Sequence, residues 1–393
     1  VSTRPAAINA QRIVTSTNTC MACGCEEQLK TKQRRGQRTR LLFPDGAHSA
    51  GMSRQTPSLV SVDMGYGHLR AAWALADRLG VPVHHADSGP LADPADRRLW
   101  RASRELYERL SRLSQHPLVG PPFRSMLQRI TAIHPSGDTP DATRPDRASR
   151  FLARRIERGF GDKLCRTLEA SGGPLVTTFY APALAADRFT NIDVFCVVTD
   201  SEVHRVWAPA TPKESRIRYL VPAPATASRL HTYGVAPANI TVTGFPLPDR
   251  LENRAPELLD RRLRRLSGDP DGPPLVTFAV GGAGAQAARA RRLLESLRGP
   301  LRRGEVRLAL VAGLRKGLAR KFRGWVAEND LLREPQPVTI VEADSFETLY
   351  RRFNLVLERT DALWTKPSEL SFYAALGLPL ILDDPVGDHE RAN

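Results

Sequence analysis

The sequence predicts an α/β protein made of two doubly wound parallel sheets that face a central cleft. Three observations predict it. Short apolar runs of strand character recur from 58 to 382, and amphipathic Arg-, Ala- and Leu-rich segments lie between many of them. The runs number ten, too many for one open sheet, and they fall into two sets. The chain has 393 residues, room for two domains or three at ~100–200 residues each. Hydrophobic residues make up 41% and charged residues 25%, which excludes global disorder. No run of ~18 uncharged apolar residues exists, which excludes a simple membrane-spanning helix.

The elements follow in order. Residues 1–51 have no apolar period and carry a basic run from Lys30 to Arg40. The segment 1–57 is therefore read as an extension, either a disordered basic tail or a stretch translated upstream of a natural start at Met52. Strands are expected at 58–63, 174–179, 193–199, 217–221 and 239–243 in the first set. The second set is 274–280, 306–312, 337–341, 361–365 and 378–382. Helices are expected at 68–79, 96–114, 148–170, 285–298, 315–328, 345–358 and 368–376. The first domain is read as 58–247 and the second as 274–393, each Rossmann-like. The Pro-, Arg- and Asp-rich segment 248–273 is read as the linker. The segment 84–147, rich in Pro, His and Arg, offers few clear strands and reads as a helical insertion. The sequence ends at Asn393 where a helix is beginning, which reads as a truncated frame.

The net charge is +15, from 57 Lys and Arg against 42 Asp and Glu. The excess is mostly arginine, in pairs such as Arg97-Arg98, Arg154-Arg155, Arg264-Arg265 and Arg351-Arg352. The composition habit of a GC-rich genome is the first reading and attraction to an anionic membrane surface the second. Nucleic-acid binding comes last, because no aromatic residues interleave with the basic ones. Cys165 and Cys196 stand alone in apolar contexts and read as buried thiols. Cys20, Cys23 and Cys25 form a C-x-x-C-x-C cluster without a fourth ligand at a recognisable spacing, so no metal site is expected there.

Four strand-to-helix turns carry chemistry. Asp63-Met64-Gly65-Tyr66-Gly67-His68 follows the first strand. Its glycines can adopt positive φ, and free N–H groups at a helix start favour an anion. Val198-Thr199-Asp200 ends a strand, with His204 four residues on. An acid and a histidine there could orient or deprotonate a hydroxyl. Gly281, Gly282 and Gly284 follow the strand at 274–280 and read as a cradle for phosphates. The loop is not a G-x-x-x-x-G-K-[ST] P-loop, so phosphoryl transfer from ATP is not expected. Ser368 and Glu369 open a helix after the strand at 361–365. A carboxylate in that first turn is favoured by the helix dipole and could accept hydrogen bonds from a ribose diol. Each turn also has a plain reading as a tight connection or a helix cap.

Taken in order, Gly-His-Leu-Arg-Ala-Ala, Val-Thr-Asp-x-x-x-His-x-x-Trp, Val-Thr-Gly-x-Pro, Gly-Gly-x-Gly, Thr-Lys-Pro-Ser-Glu-Leu and Gly-Leu-Pro-x-Ile are similar to a known set. Over roughly 58–393 the chain resembles GT-B glycosyltransferases of the monogalactosyldiacylglycerol synthase and peptidoglycan GlcNAc-transferase group. The resemblance implies metal-independent, inverting transfer of a hexose or N-acetylhexosamine from a nucleotide sugar, UDP-linked, to a hydroxyl acceptor. The nucleotide sugar is then a substrate, and no cofactor is implied. Gly281, Gly282 and Gly284 match the diphosphate-side loop. Arg315 lies in the strand–loop near the nucleobase. Ser368 and Glu369 match ribose and phosphate contacts, and Asp388, His389, Glu390 and Asn393 match the last donor-side loop. His68, Asp200 and His204 are the catalytic candidates, with either histidine as the base. The chain departs from the group where Ser368-Glu369 replaces Gly-Gly and where Tyr66 replaces a glycine. The basic N-terminal half is compatible with a lipid acceptor on the inner face of a membrane, reached by a cytoplasmic, peripheral protein. A UDP-sugar 2-epimerase and a non-catalytic nucleotide-sugar-binding protein are the alternatives.

Overall fold

Strands buried on both faces read as continuous apolar runs, and such runs build both sheets. The computed structural model describes residues 55–114, 142–268, 272–280, 287–365 and 370–382. Arg54–Asn393 group into one compact unit. Its first half runs β1 (Ser58–Ser61), α1 (Tyr66–Leu79), β2 (Val83–His85), α2 (Pro94–Ser114), α3 (Arg147–Glu157), α4 (Asp162–Ser171), β3 (Leu175–Thr177), α5 (Tyr180–Phe189), β4 (Val194–Val197), β5 (Arg218–Val221), α6 (Pro224–Thr232) and β6 (Ile240–Val242). These six strands form one parallel sheet in the order β2-β1-β3-β4-β5-β6. Leu59 sits opposite Val83 on one side and Val176 on the other, all within the apolar layer.

Two sequence expectations change in this half. β2 is a strand inside the stretch read as helical, because Val83-His84-His85 is a short, half-exposed edge strand that carries no apolar period. The helix expected over 148–170 breaks into α3 and α4. The break falls at Gly159 and Gly161, with φ of +95° and +82°, conformations that end a helix. A side chain on Gly161 would also stand 2.8 Å from the Ala185 Cβ. The carboxylate of Asp96 accepts the Gly161 N–H at 3.1 Å and ties the break to α2.

The second half runs α7 (Asp249–Glu252), α8 (Ala255–Leu266), β7 (Leu275–Ala279), α9 (Ala287–Arg303), β8 (Arg307–Gly313), α10 (Lys316–Glu328), β9 (Val338–Glu342), α11 (Phe346–Leu357), β10 (Ala362–Thr365), α12 (Leu370–Ala375) and β11 (Leu380–Leu382). Its five strands are parallel in the order β11-β10-β7-β8-β9. The stretch read as linker thus carries α7 and α8. Arginines bind them to the second sheet. Arg262 is 1% exposed and donates to the carbonyls of Leu357, Thr360 and Leu376 at 2.9–3.1 Å. Arg265 pairs with the buried Asp361 at 2.8 Å, and Asp361 also accepts the Leu275 N–H at 2.8 Å. Guanidiniums at the C-terminal end of α11 meet its open carbonyls, where positive charge is favoured.

Strand order reverses between β1 and β3 in the first sheet and between β7 and β10 in the second. Ligands of open parallel sheets bind at such switch points, beyond the carboxyl ends of the strands. Helix α1 belongs to both halves. Leu69 packs in the core of the second half, and Tyr66 and Trp73 pack against that core. The two doubly wound parallel sheets give the chain the α/β architecture of a GT-B protein.

Candidate functional site

His68, the third residue of α1, stands where the loops after β1, β3 and β4 converge. Its Nδ1 lies 3.1 Å from the Thr178 carbonyl oxygen and 2.7 Å from Thr199 Oγ1. A carbonyl oxygen only accepts, so Nδ1 carries the proton and donates it to Thr178. In the neutral ring Nε2 then holds a lone pair, and it has no hydrogen-bond partner among the described residues. The ring meets the edge of Phe179 at 4.8 Å between centroids and lies 6.2 Å from Trp207. This apolar wall desolvates the imidazole and lowers its pKa to about 4, against a smaller raising effect of the Thr178 hydrogen bond. His68 is therefore neutral at pH 7, the state required of a general base.

Asp200 follows β4, one residue beyond Thr199. Burial pushes its carboxyl up to about 7, partly offset by a hydrogen bond from the Trp207 side chain. Trp207 itself stacks edge-on with Tyr180 at 5.3 Å, and Tyr180 stacks on Phe179 at 4.2 Å. Trp207 is thus shared between the environments of His68 and Asp200. Hydroxyl groups behind the loop fix it: Tyr219 donates to the Trp207 carbonyl at 2.8 Å, Tyr233 to Val203 at 2.9 Å, and Thr226 to Ser201 at 2.6 Å. His204 opens the short 3-10 turn Arg205–Trp207, and its carbonyl accepts the Trp207 N–H at 3.1 Å.

A cleft of about 620 Å³ opens on the far side of Trp100, whose ring lies 5.9 Å from Phe179; neither His68 nor Asp200 lines it. The first half lines it with Asp63, His85, Asp87 and the α2 face of Arg97, Trp100, Arg101 and Arg104; the second half adds Leu314, Phe346 and Glu347. Tyr66, where the resembled group has glycine, crosses to the second half. Its ring lies 5.3 Å from Phe346, and its hydroxyl accepts the Leu314 N–H at 3.4 Å. Gly313 makes room for it: its φ is +67°, and an added Cβ would stand 2.9 Å from the Tyr66 hydroxyl. Gly67, expected to use positive φ, lies in the first turn of α1 instead, because the helix begins at Tyr66. Arg315 stands 3.9 Å from Glu108 of α2, another contact between the halves.

The donor-side candidates Gly281, Gly282, Gly284, Ser368, Glu369, Asp388, His389, Glu390 and Asn393 lie outside the described residues, as does the Cys20-Cys23-Cys25 cluster. The strands that lead into the first two of these loops, β7 and β10, are neighbours, with Ala362 opposite Val276. The structure brings His68 and Asp200 to one aromatic cluster and places Arg315 across the cleft. Sequence reasoning missed Thr178, Tyr180 and the cross-cleft role of Tyr66, which depend on contacts distant in sequence. It also missed Arg97 and Arg101 as a cleft face, though their i, i+4 spacing around Trp100 carried the signal. Among the described residues no three His, Cys, Asp or Glu side chains converge as a metal would require. Cys165 and Cys196 are free and buried, and burial holds both thiols protonated. No described helix is long and apolar enough to cross a membrane.

No protein-family model and no curated protein sequence matches the chain. Solved structures resemble it at low identity. A UDP-GlcNAc 2-epimerase from Neisseria meningitidis, bound to UDP-GlcNAc, is 12% identical over 86% of this chain and 85% of its own, with a TM-score of 0.43. A UDP-N-acetylglucosamine 2-epimerase from Rickettsia bellii is 13% identical over 83% and 78%, with a TM-score of 0.40. A glycosyltransferase from Rickettsia africae is 10% identical over 85% and 80%, with a TM-score of 0.36.

Proposed function

We infer that the chain is a glycosyltransferase that moves a hexose or N-acetylhexosamine from a nucleotide sugar, UDP-linked, to a hydroxyl acceptor. The observation that carries this reading is the neutral, oriented imidazole of His68 at the first switch point, on a helix whose next turn reaches the second. Tyr66 and Arg70 of α1 share a small cavity with Ala279 and Val280 at the end of β7 and with Thr365 at the end of β10. One helix therefore links a base on one sheet to the strand ends where a donor would bind on the other. In this reading the acceptor hydroxyl gives its proton to His68 Nε2 while its oxygen attacks the anomeric carbon. The bond to the nucleoside diphosphate breaks with inversion, and helix N-termini with the loops holding Gly281–Gly284 and Ser368–Glu369 receive the departing charge. A diphosphate near His68 raises the proton affinity that burial lowers. Asp200, whose carboxyl burial pushes up to about 7, stands against the same aromatic wall through its hydrogen bond from Trp207.

The test begins with nucleotide titration by thermal shift. UDP at 100 times its Kd adds about 2.7 kcal/mol of stability, and ADP or GDP should add far less. Incubation with UDP-sugar and an acceptor extract should then give a glycosylated product. His68→Gln should lower that rate by roughly 10²–10⁴-fold and leave the UDP shift intact. A nucleotide sugar converted to its isomer without acceptor would replace this reading with the 2-epimerase. UDP binding with no turnover in any extract would leave a binding protein. No shift with any nucleotide would sink the donor site itself.

A further inference from the structure

Of the three carboxylates that line the cleft, Asp63 and Glu347 each have an arginine beside them, whereas the buried Oδ1 of Asp87 has no hydrogen-bond partner among the described residues. Arg104 pairs with Asp63, His85 Nδ1 lies 3.8 Å from Asp87, and Arg351 lies 3.2 Å from Glu347. Two cations on the same wall have no such neighbour: among the described residues, neither Arg97 nor Arg101 meets a carboxylate at ion-pair distance. They stand one helical turn apart on α2, so their guanidiniums share a face. Below them Met64, Leu69, Trp73, Trp100, Leu314 and Phe346 form an apolar floor that spans both halves. The wall thus sets two arginines without a carboxylate partner above an apolar surface. Paired guanidiniums match the geometry of a phosphate and bind it through charge-assisted hydrogen bonds.

We propose that this wall is an anion subsite, and that the acceptor carries a phosphate monoester which Arg97 and Arg101 hold while its uncharged body lies on the apolar floor. Only the word acceptor rests on the glycosyltransferase reading; the subsite rests on the cleft. The two arginines belong to α2, and the loops after β1 and β2 flank them; the floor adds Leu314 and Phe346 of the second half, and none of these residues lies at the β7 or β10 strand ends assigned to the donor. The phosphate belongs either to a small soluble ester or to a lipid headgroup.

Calorimetric titration distinguishes these. The probes are glycerol 3-phosphate, glycerol, and vesicles of neutral lipid with and without phosphatidic acid, each against the full chain and its Arg97→Ala/Arg101→Ala variant. Both side chains are exposed, so the variant should keep its melting temperature. The chain should bind the ester saturably and ignore glycerol, and the variant should bind about 30-fold more weakly. Binding confined to the phosphatidic acid vesicles, lost in the variant, would identify the lipid form of the same chemistry. Equal binding by chain and variant, or binding of neither phosphate probe, would overturn the proposal. UDP titrated into the same samples separates the two readings. Ester binding without UDP binding removes the donor site and keeps the subsite, and the reverse result does the opposite.

Discussion

His68 and Asp200 are shifted by the same cause, burial beside Trp207, and the shifts have opposite consequences for folding. His68 titrates near 4 in the folded chain and near 6.5 when unfolded. Between these values only the unfolded state binds the proton, so stability is lost as pH falls from 6.5 to 4. Asp200 titrates near 7 when folded and near 3.8 when unfolded. Between these values only the folded state binds the proton, so stability is lost as pH rises from 4 to 7. At 1.36 kcal/mol per pKa unit the effects are about 3 kcal/mol for His68 and about 4 kcal/mol for Asp200, and between pH 4 and 6.5 their opposed slopes largely cancel in the wild type. Single substitutions should unmask them. His68→Gln should melt at a higher temperature at pH 4.5 than at pH 7, and Asp200→Asn should do the reverse; two variants with the same pH slope would refute the opposed shifts. The sequence made both residues legible, because each follows a strand with a turn. It did not show the proton's position on His68, because the Thr178 carbonyl that fixes it lies 110 residues away. Arginine was misread for the same reason. Arg265 read as composition habit, yet it and Arg262 donate to carbonyls at the C-terminal end of α11 nearly 100 residues on.

At the scale of elements, legibility followed burial. Strands buried on both faces, such as β7 and β8, read clearly as apolar runs. The edge strand β2 did not, because His84 and His85 leave no apolar signal and pairing with β1 alone defines it. Helix α5 was missed as well: its buried face is Ala181, Ala183, Ala185 and Ala186, small residues with little amphipathic contrast. Helix α1 packs into both halves, and its contact with β8 depends on one glycine. Gly313→Ala would strain a φ of +67° and drive a methyl group to 2.9 Å from the Tyr66 hydroxyl. The expected cost is about 2 kcal/mol. Tyr66→Phe removes the hydroxyl and leaves the backbone strain, so the double variant should recover about half of that loss. Chemical denaturation of the four proteins measures the cycle, and strict additivity would show that the two residues do not meet as described.

Across the whole molecule, α1 joins sheets that each have their own apolar core. Arg70 is the largest of its fully buried bridging residues. It is 1% exposed, and its guanidinium lies over the rings of Phe372 at 4.5 Å, Phe353 at 5.1 Å and Tyr373 at 5.7 Å, all from the second half. A desolvated cation against aromatic faces is worth up to about 2 kcal/mol per favourable contact, and truncation adds the penalty of a cavity. Tyr350 and Asp77 extend the same seam, with the hydroxyl 3.4 Å from the carboxylate. A helix packed into both cores should make the halves unfold together, so calorimetry of the wild type should show one transition. Arg70→Ala should lose about 3 kcal/mol and divide the melt into two steps, because the first half then no longer reports the second half's unfolding. A nucleotide would stabilise only one of those steps, which would show which half holds the donor. If Arg70→Ala keeps a single transition at the wild-type temperature, the coupling does not run through α1, and the case for this helix as the link between base and donor fails with it.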